Sequence, residues 1–124
     1  MLAYATVGSN DLERAKRFYD ALMPVIGFAP MMEHGSGGRI YGGKGTMFAV
    51  VAPFDGAPAT SGNGTMIGFM LEEPEQVDRF HAAALELGGS DEGAPGLRGP
   101  AEAQAYMAYV RDPDGNKICA FKFG

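Results

Sequence analysis

Two stretches of this chain repeat each other at a fixed offset of 62 positions. The segment from Arg17-Phe18-Tyr19 to Gly27 lines up with that from Arg79-Phe80-His81 to Gly89. Carried backwards, the offset lays the apolar run Leu2 to Val7 on Gly64 to Phe69, so Tyr4 meets Met66 and Asp11 meets Glu73. The repeated unit is a strand followed by a helix. A unit far longer than a solenoid repeat, and present only twice, points to two halves of one domain packed face to face. Such a duplication leaves a cleft between its halves where a ligand can sit.

The order of predicted elements agrees. Leu2 to Val7 is rich in strand formers, and Ser9-Asn10-Asp11 then caps a helix with apolar positions Leu12, Ala15, Phe18, Tyr19, Leu22 and Ile26, stopped by Gly27. Short strands follow at Ala29 to Glu33, Arg39 to Tyr41 and Thr46 to Val51, separated by glycine clusters. The stretch Pro53 to Asn63 is dense in Gly, Pro, Ala and Ser. It divides the chain into a first module (1–53), a connector (54–63) and a second module (64–124) within one domain. The second module repeats the order: strand Thr65 to Leu71, a helix with Pro74 at its first position, and Gly88-Gly89 to end it. Ser90 to Ala103 is glycine-rich and predicts only a scrap of strand. Ala105 to Val110 and Lys117 to Phe123 form a hairpin around Asp112-Pro113-Asp114-Gly115-Asn116.

Composition excludes several classes. A formal net charge of −5 opposes nucleic acid as a partner, because that surface repels phosphates. No apolar run is long enough to span a membrane. Cys119 is the sole cysteine, so no internal disulfide forms, and the opening residues read as strand rather than leader. A cytoplasmic protein is the expectation.

The pattern Asp11-Leu12-Glu13-Arg14-Ala15-Lys16-Arg17-Phe18-Tyr19 after a first strand, with Arg111-Asp112-Pro113-Asp114-Gly115-Asn116 before the last, resembles the vicinal oxygen chelate superfamily. That group contains glyoxalase I, bleomycin-resistance proteins and extradiol dioxygenases. The likeness covers nearly the whole chain and extends to Phe80-His81-Ala82-Ala83-Ala84 and Gly93-Ala94-Pro95-Gly96-Leu97-Arg98. It implies an α+β fold of two βαβββ modules whose curved sheets surround a cavity, and a homodimer. In the superfamily's enzymes a divalent metal sits in the cavity. By the same resemblance its four ligand positions, usually His and Glu, fall here on Tyr4, Ala49, Met66 and Cys119.

A phenol, a methyl, a thioether and a thiol are a poor set for a divalent ion, which wants imidazole, carboxylate or several thiolates. No metal and no other cofactor is therefore expected. Soft copper(I) suits Met66 and Cys119, but Met and Cys more often fill apolar cavities as ordinary side chains. Cys119 as a nucleophile lacks an evident activating neighbour. His34 and His81 are candidate bases that the fold does not place at the cavity. Asp112 and Asp114 read as a hairpin turn, and Glu72-Glu73 as charges favouring a helix N-terminus.

Strand alternation puts Tyr4 with Thr6, Met66 with Gly68 and Met70, Ala49 with Met47 and Val51, and Cys119 with Phe121 and Phe123. Such a cleft suits an apolar or aromatic ligand, with the Tyr4 hydroxyl as anchor. Arg39, Tyr41, Arg98, Tyr106 and Tyr109 are placed at its rim. The leading function is metal-independent binding of a small, largely apolar or aromatic molecule. The alternatives are a lyase, isomerase or dioxygenase with a non-standard site, and a degenerate domain that serves dimerisation.

Overall fold

The computed structural model describes residues 1–124. Its first sheet contains β1 (Tyr4–Gly8), β2 (Ala29–Glu33), β3 (Arg39–Gly43) and β4 (Thr46–Val51) in the order β1-β4-β3-β2. Its second contains β5 (Ile67–Met70), β6 (Ser90–Arg98), β7 (Ala105–Arg111) and β8 (Lys117–Lys122) in the order β5-β8-β7-β6. In each, the first strand runs parallel to the last and the remaining pairs are antiparallel. The helices are α1 (Leu12–Leu22) and α2 (Pro74–Glu86). This is an α+β fold of two βαβββ modules with open, curved sheets.

The repeat is exact in places. The helices start at Leu12 and Pro74 and are capped by Asp11 and Glu73, each pair separated by the same 62 positions. The Asp11 carboxylate accepts from the Arg14 backbone N–H at 3.1 Å, satisfying an otherwise unpaired helix donor. At α2 the work is done by Gln76, whose Oε1 accepts from the backbone N–H groups of Glu72 and Glu73. Thr6 pairs with Ala49 and Gly68 with Cys119, so the two strand pairs also correspond.

Two expectations need correction. The first helix stops at Leu22, and Met23–Ile26 form a 3₁₀ turn closed by Gly27 at φ 86°. Pro24 brings no N–H to continue the α-helical ladder, although Ile26 is still buried. Residues 90–98 make a nine-residue strand rather than a scrap. β6 is an edge strand with register shifts on both sides of Gly93, and an edge tolerates Pro95 and glycines that a central strand would not.

Both helices pack on the same side of the sheets, over one core of 20 buried residues. Phe69 of β5 crosses into the first module's aromatic cluster, with ring centroids 5.3 Å from Phe48 and 5.8 Å from Phe28. A polar seam reinforces this contact. Asp112, buried in the β7–β8 turn, accepts from the Tyr19 hydroxyl of α1, from the Asn116 side chain and backbone, and from the Asp114 N–H. Asn116 also donates to the Gly8 carbonyl at the end of β1.

Candidate functional site

Strand pairing decides which side chains face away from the helices. Val7, Phe48 and Val50 in the first sheet, and Phe69, Ile118 and Ala120 in the second, are buried in the core. Their neighbours along the strands therefore point to the opposite, open face: Tyr4, Thr6 and Met47 in one sheet, Gly68, Met70 and Phe121 in the other. A bulge at Met31 adds a residue to β2, leaving Met31 over Gly42 and Met32 opposite Ile40, both on this face.

A cavity of about 1050 Å³ opens on the first sheet. Its floor is Tyr4, Thr6 and Gly8 of β1 with Val51 of β4; one wall is the turn His34–Ser36, and the other is the connector from Ala52 to Thr60. Tyr4 is 42 % exposed, and its hydroxyl has no hydrogen-bond partner within the chain. The connector is pinned from below by Asn10, whose side chain donates to the Ala59 carbonyl and accepts from the Ala59 N–H. Gly8 permits this approach, because a Cβ there would lie 2.9 Å from that of Ala59. A second, smaller cavity of about 130 Å³ lies between Tyr4, Met47 and Gly68.

The residues expected around one cleft divide among several environments. Tyr4 lines both cavities. Met66 is exposed just before β5, and Phe121 is half-buried, with its ring centroid 5.1 Å from that of Phe123. Ala49 and Cys119 lie on the open face but are covered, at 0 % and 1 % exposure. Arg39, expected at the rim, is turned to the helix side, since it pairs with Val50; it binds Asp20 of α1 at 2.5 Å and Glu33. Tyr41 also faces α1 and donates to Asp20. Tyr106 likewise faces α2, donating to Asp78 at 2.6 Å. Arg98 is on the open face, but its guanidinium is occupied by the carbonyls of Ala94, Gly96 and Met107 and lies 5.6 Å from the Tyr109 ring centroid. It fills the space left by Gly93 and Gly96, where a Cβ would come within 3.1 to 3.2 Å of it.

His34 is the residue that sequence reasoning placed elsewhere and the structure puts on the cavity wall. The histidine precedes Gly35-Ser36-Gly37-Gly38, and Ser36 back-bonds to its ring. A histidine two positions before a serine in a glycine turn was the available signal. His81, by contrast, pairs with Asp91 at 2.9 Å on the helix side, holding that carboxyl below its usual range.

The donor set does not fit a divalent metal. No three His, Cys, Asp or Glu side chains gather anywhere in the chain. Burial pushes the Cys119 thiol up to about 11, and the Lys117 charge offsets only part of that, so the sulfur stays protonated and is a poor ligand or nucleophile at neutral pH.

Residues 1–120 match the Glyoxalase/Bleomycin resistance protein/Dioxygenase superfamily. Among solved structures, a glyoxalase/bleomycin resistance protein from Albidiferax ferrireducens T118 is 45% identical, with a TM-score of 0.89 and 98% of each chain covered. A glyoxalase-related enzyme from Fulvimarina pelagi shares the fold at 21% identity and a TM-score of 0.76, over 98% of this chain and 87% of its own. Lactoylglutathione lyase from Agrobacterium tumefaciens does so at 18% identity and 0.72, over 98% and 92%. No curated protein matches the chain. With the profile spanning almost its full length and a close structural relative at 45% identity, the chain belongs to the glyoxalase/bleomycin resistance protein/dioxygenase superfamily.

Proposed function

We propose that this protein binds a small, largely apolar or aromatic molecule without a metal, in the cavity between β1, the His34 turn and the connector. The observation that carries the reading is the pairing of a cavity of about 1050 Å³ with a donor set unable to hold a metal. The cavity is of the size used for drug-sized ligands. Its walls offer Val51, Pro53, Phe54 and Pro58 as apolar surface, and the free Tyr4 hydroxyl as a polar anchor. A protonated, covered Cys119 opposes the alternative of a lyase, isomerase or dioxygenase working through that residue.

The same reading makes the protein a homodimer working in the cytoplasm. Apolar side chains on the open face, including Met32 and Met70, would be covered by a second copy. One free thiol suits a reducing compartment.

The test is a thermal-shift series with phenol, indole and toluene. A ligand at 100 times its Kd stabilises the folded state by about 2.7 kcal/mol, which is measurable in Tm. Tyr4→Phe should weaken phenol by roughly 0.5–1.5 kcal/mol, the net value of one hydrogen bond, and leave toluene unaffected. If no aromatic fragment moves the Tm or the Tyr4 resonances, the binding reading is wrong.

A further inference from the structure

We infer that His34 presents a fixed Nε2–H donor to the cavity, and that the ligand is an aromatic compound carrying an uncharged carbonyl group. The inference rests on the binding reading above and makes its ligand class specific.

The tautomer follows from counting protons around Ser36. Its Oγ accepts from the backbone N–H groups of Ala52 at 3.0 Å and Gly38 at 3.4 Å, which occupies both lone pairs. Its one hydroxyl proton then goes to His34 Nδ1, 2.9 Å away. The Ser36 backbone N–H donates to the same nitrogen at 3.1 Å. A ring nitrogen that receives two donors carries no proton, so the neutral imidazole holds its proton on Nε2. Nε2 has no partner within the chain, and His34 is half-buried and among the residues that line the cavity. The turn is fixed in turn by its backbone: His34 N–H donates to the Gly38 carbonyl and Gly37 N–H to that of His34. The donor is preorganised.

A fixed N–H calls for an acceptor oxygen on the ligand. The charge of the lining says which kind. The cavity contains no Lys or Arg and one carboxylate, Asp55. A carboxylate or phosphate ligand would enter without a countercharge and beside a like one, whereas a ketone, amide or ester oxygen accepts the same bond at no such cost. Phe54, fully exposed on the connector, offers an aromatic face to the ring that bears it.

The experiment has two arms. Long-range ¹H–¹⁵N correlation on the ligand-free protein should show His34 with Nδ1 unprotonated and Nε2 protonated, and Ser36→Ala should disturb that pattern; an Nδ1–H tautomer in the wild type overturns the inference. Acetophenone, its hydrocarbon isostere α-methylstyrene, and benzoate are then titrated by chemical shift into wild type and His34→Phe. Acetophenone should bind the wild type best and lose about threefold to tenfold in His34→Phe, the range of one neutral hydrogen bond. α-Methylstyrene should be indifferent to the substitution, and benzoate should bind weakest. Equal binding of acetophenone and α-methylstyrene, or benzoate as the tightest, overturns the ligand class while leaving the cavity a binding site. Failure of all three to bind overturns the binding reading itself.

Discussion

The Tyr19 hydroxyl donates a 2.6 Å hydrogen bond to Asp112 Oδ2, joining the first helix of one module to the last turn of the other. Burial of Asp112 raises its carboxyl above the usual range, partly offset by its bonds to Tyr19 and Asn116. Tyr19→Phe should therefore lower stability by about 1.5–3 kcal/mol, the range for bonds to a charged partner, as read from the urea midpoint. Asp112→Ala should cost more, because it strands the Tyr19 hydroxyl together with the N–H groups of Asp114 and Asn116. A Tyr19→Phe protein as stable as wild type would show that the seam contributes nothing.

The buried phenols set the alkaline limit. Desolvation holds Tyr19 and Tyr41 well above their ordinary value, and hydrogen bonds to Asp112 and Asp20 push in the same direction. Unfolded tyrosine ionises near pH 10 while the folded phenols keep their protons. Stability contributed by these groups is thus complete below about pH 10 and lost above it, at roughly 1.4 kcal/mol per pH unit for each phenol. Cys119, raised to about 11 when folded, acts the same way from about pH 9. Urea midpoints measured from pH 8 to 11 should fall on this schedule, and less steeply in Tyr19→Phe.

Two neighbouring glycines should behave oppositely. A Cβ on Gly38 would lie 1.9 Å from the Val50 carbonyl oxygen, whereas one on Gly35 meets nothing within 4 Å. Gly38→Ala has to displace backbone in the sheet and should cost at least about 3 kcal/mol, the upper range for overpacking. Gly35→Ala should be neutral or stabilising by about 0.4–1 kcal/mol through the unfolded state. Thermal unfolding of both variants settles the contrast.

Cys119 should resist thiol reagents at pH 8 until the chain unfolds, since the sulfur is covered and protonated. The purified protein should also carry no stoichiometric divalent metal, and a chelator should leave its Tm unchanged. Elemental analysis finding about one tightly held zinc, nickel, iron or manganese per chain, as a genuine site requires, contradicts the donor-set reasoning.

Light scattering at micromolar concentration should give the mass of a dimer. Met32 and Met70 are 55 % and 64 % exposed, and Met32→Glu with Met70→Glu should shift the mass toward a single chain. A monomer mass for the wild type refutes the homodimer.

The repeat made the fold legible because its marks are local. Cap residues, the apolar face of each helix and the Asp112–Asn116 turn are written in short windows, and Asp11 and Glu73 cap the helices where the offset places them. β6 was hidden because an edge strand accepts a glycine-rich composition that reads as loop. Arg39 and Tyr106 were misplaced for another reason. Their faces depend on register with Val50 and Lys122, which is long-range information absent from their own surroundings. The cavity at Tyr4 needed both the connector and the His34 turn to fold over β1, and nothing in the spacing of those segments announces it.

The Asn116 amide reaches the Gly8 carbonyl across 108 positions of chain, and Tyr19 reaches Asp112 across 93. Contacts this distant in sequence require the closure of large loops before they return any free energy, so they slow folding and arrive late. The first module cannot complete its own strand end until residue 116 has come back to it. A nick in the connector would therefore leave two fragments, each exposing half of a shared aromatic core, able to recover the native state only by finding one another.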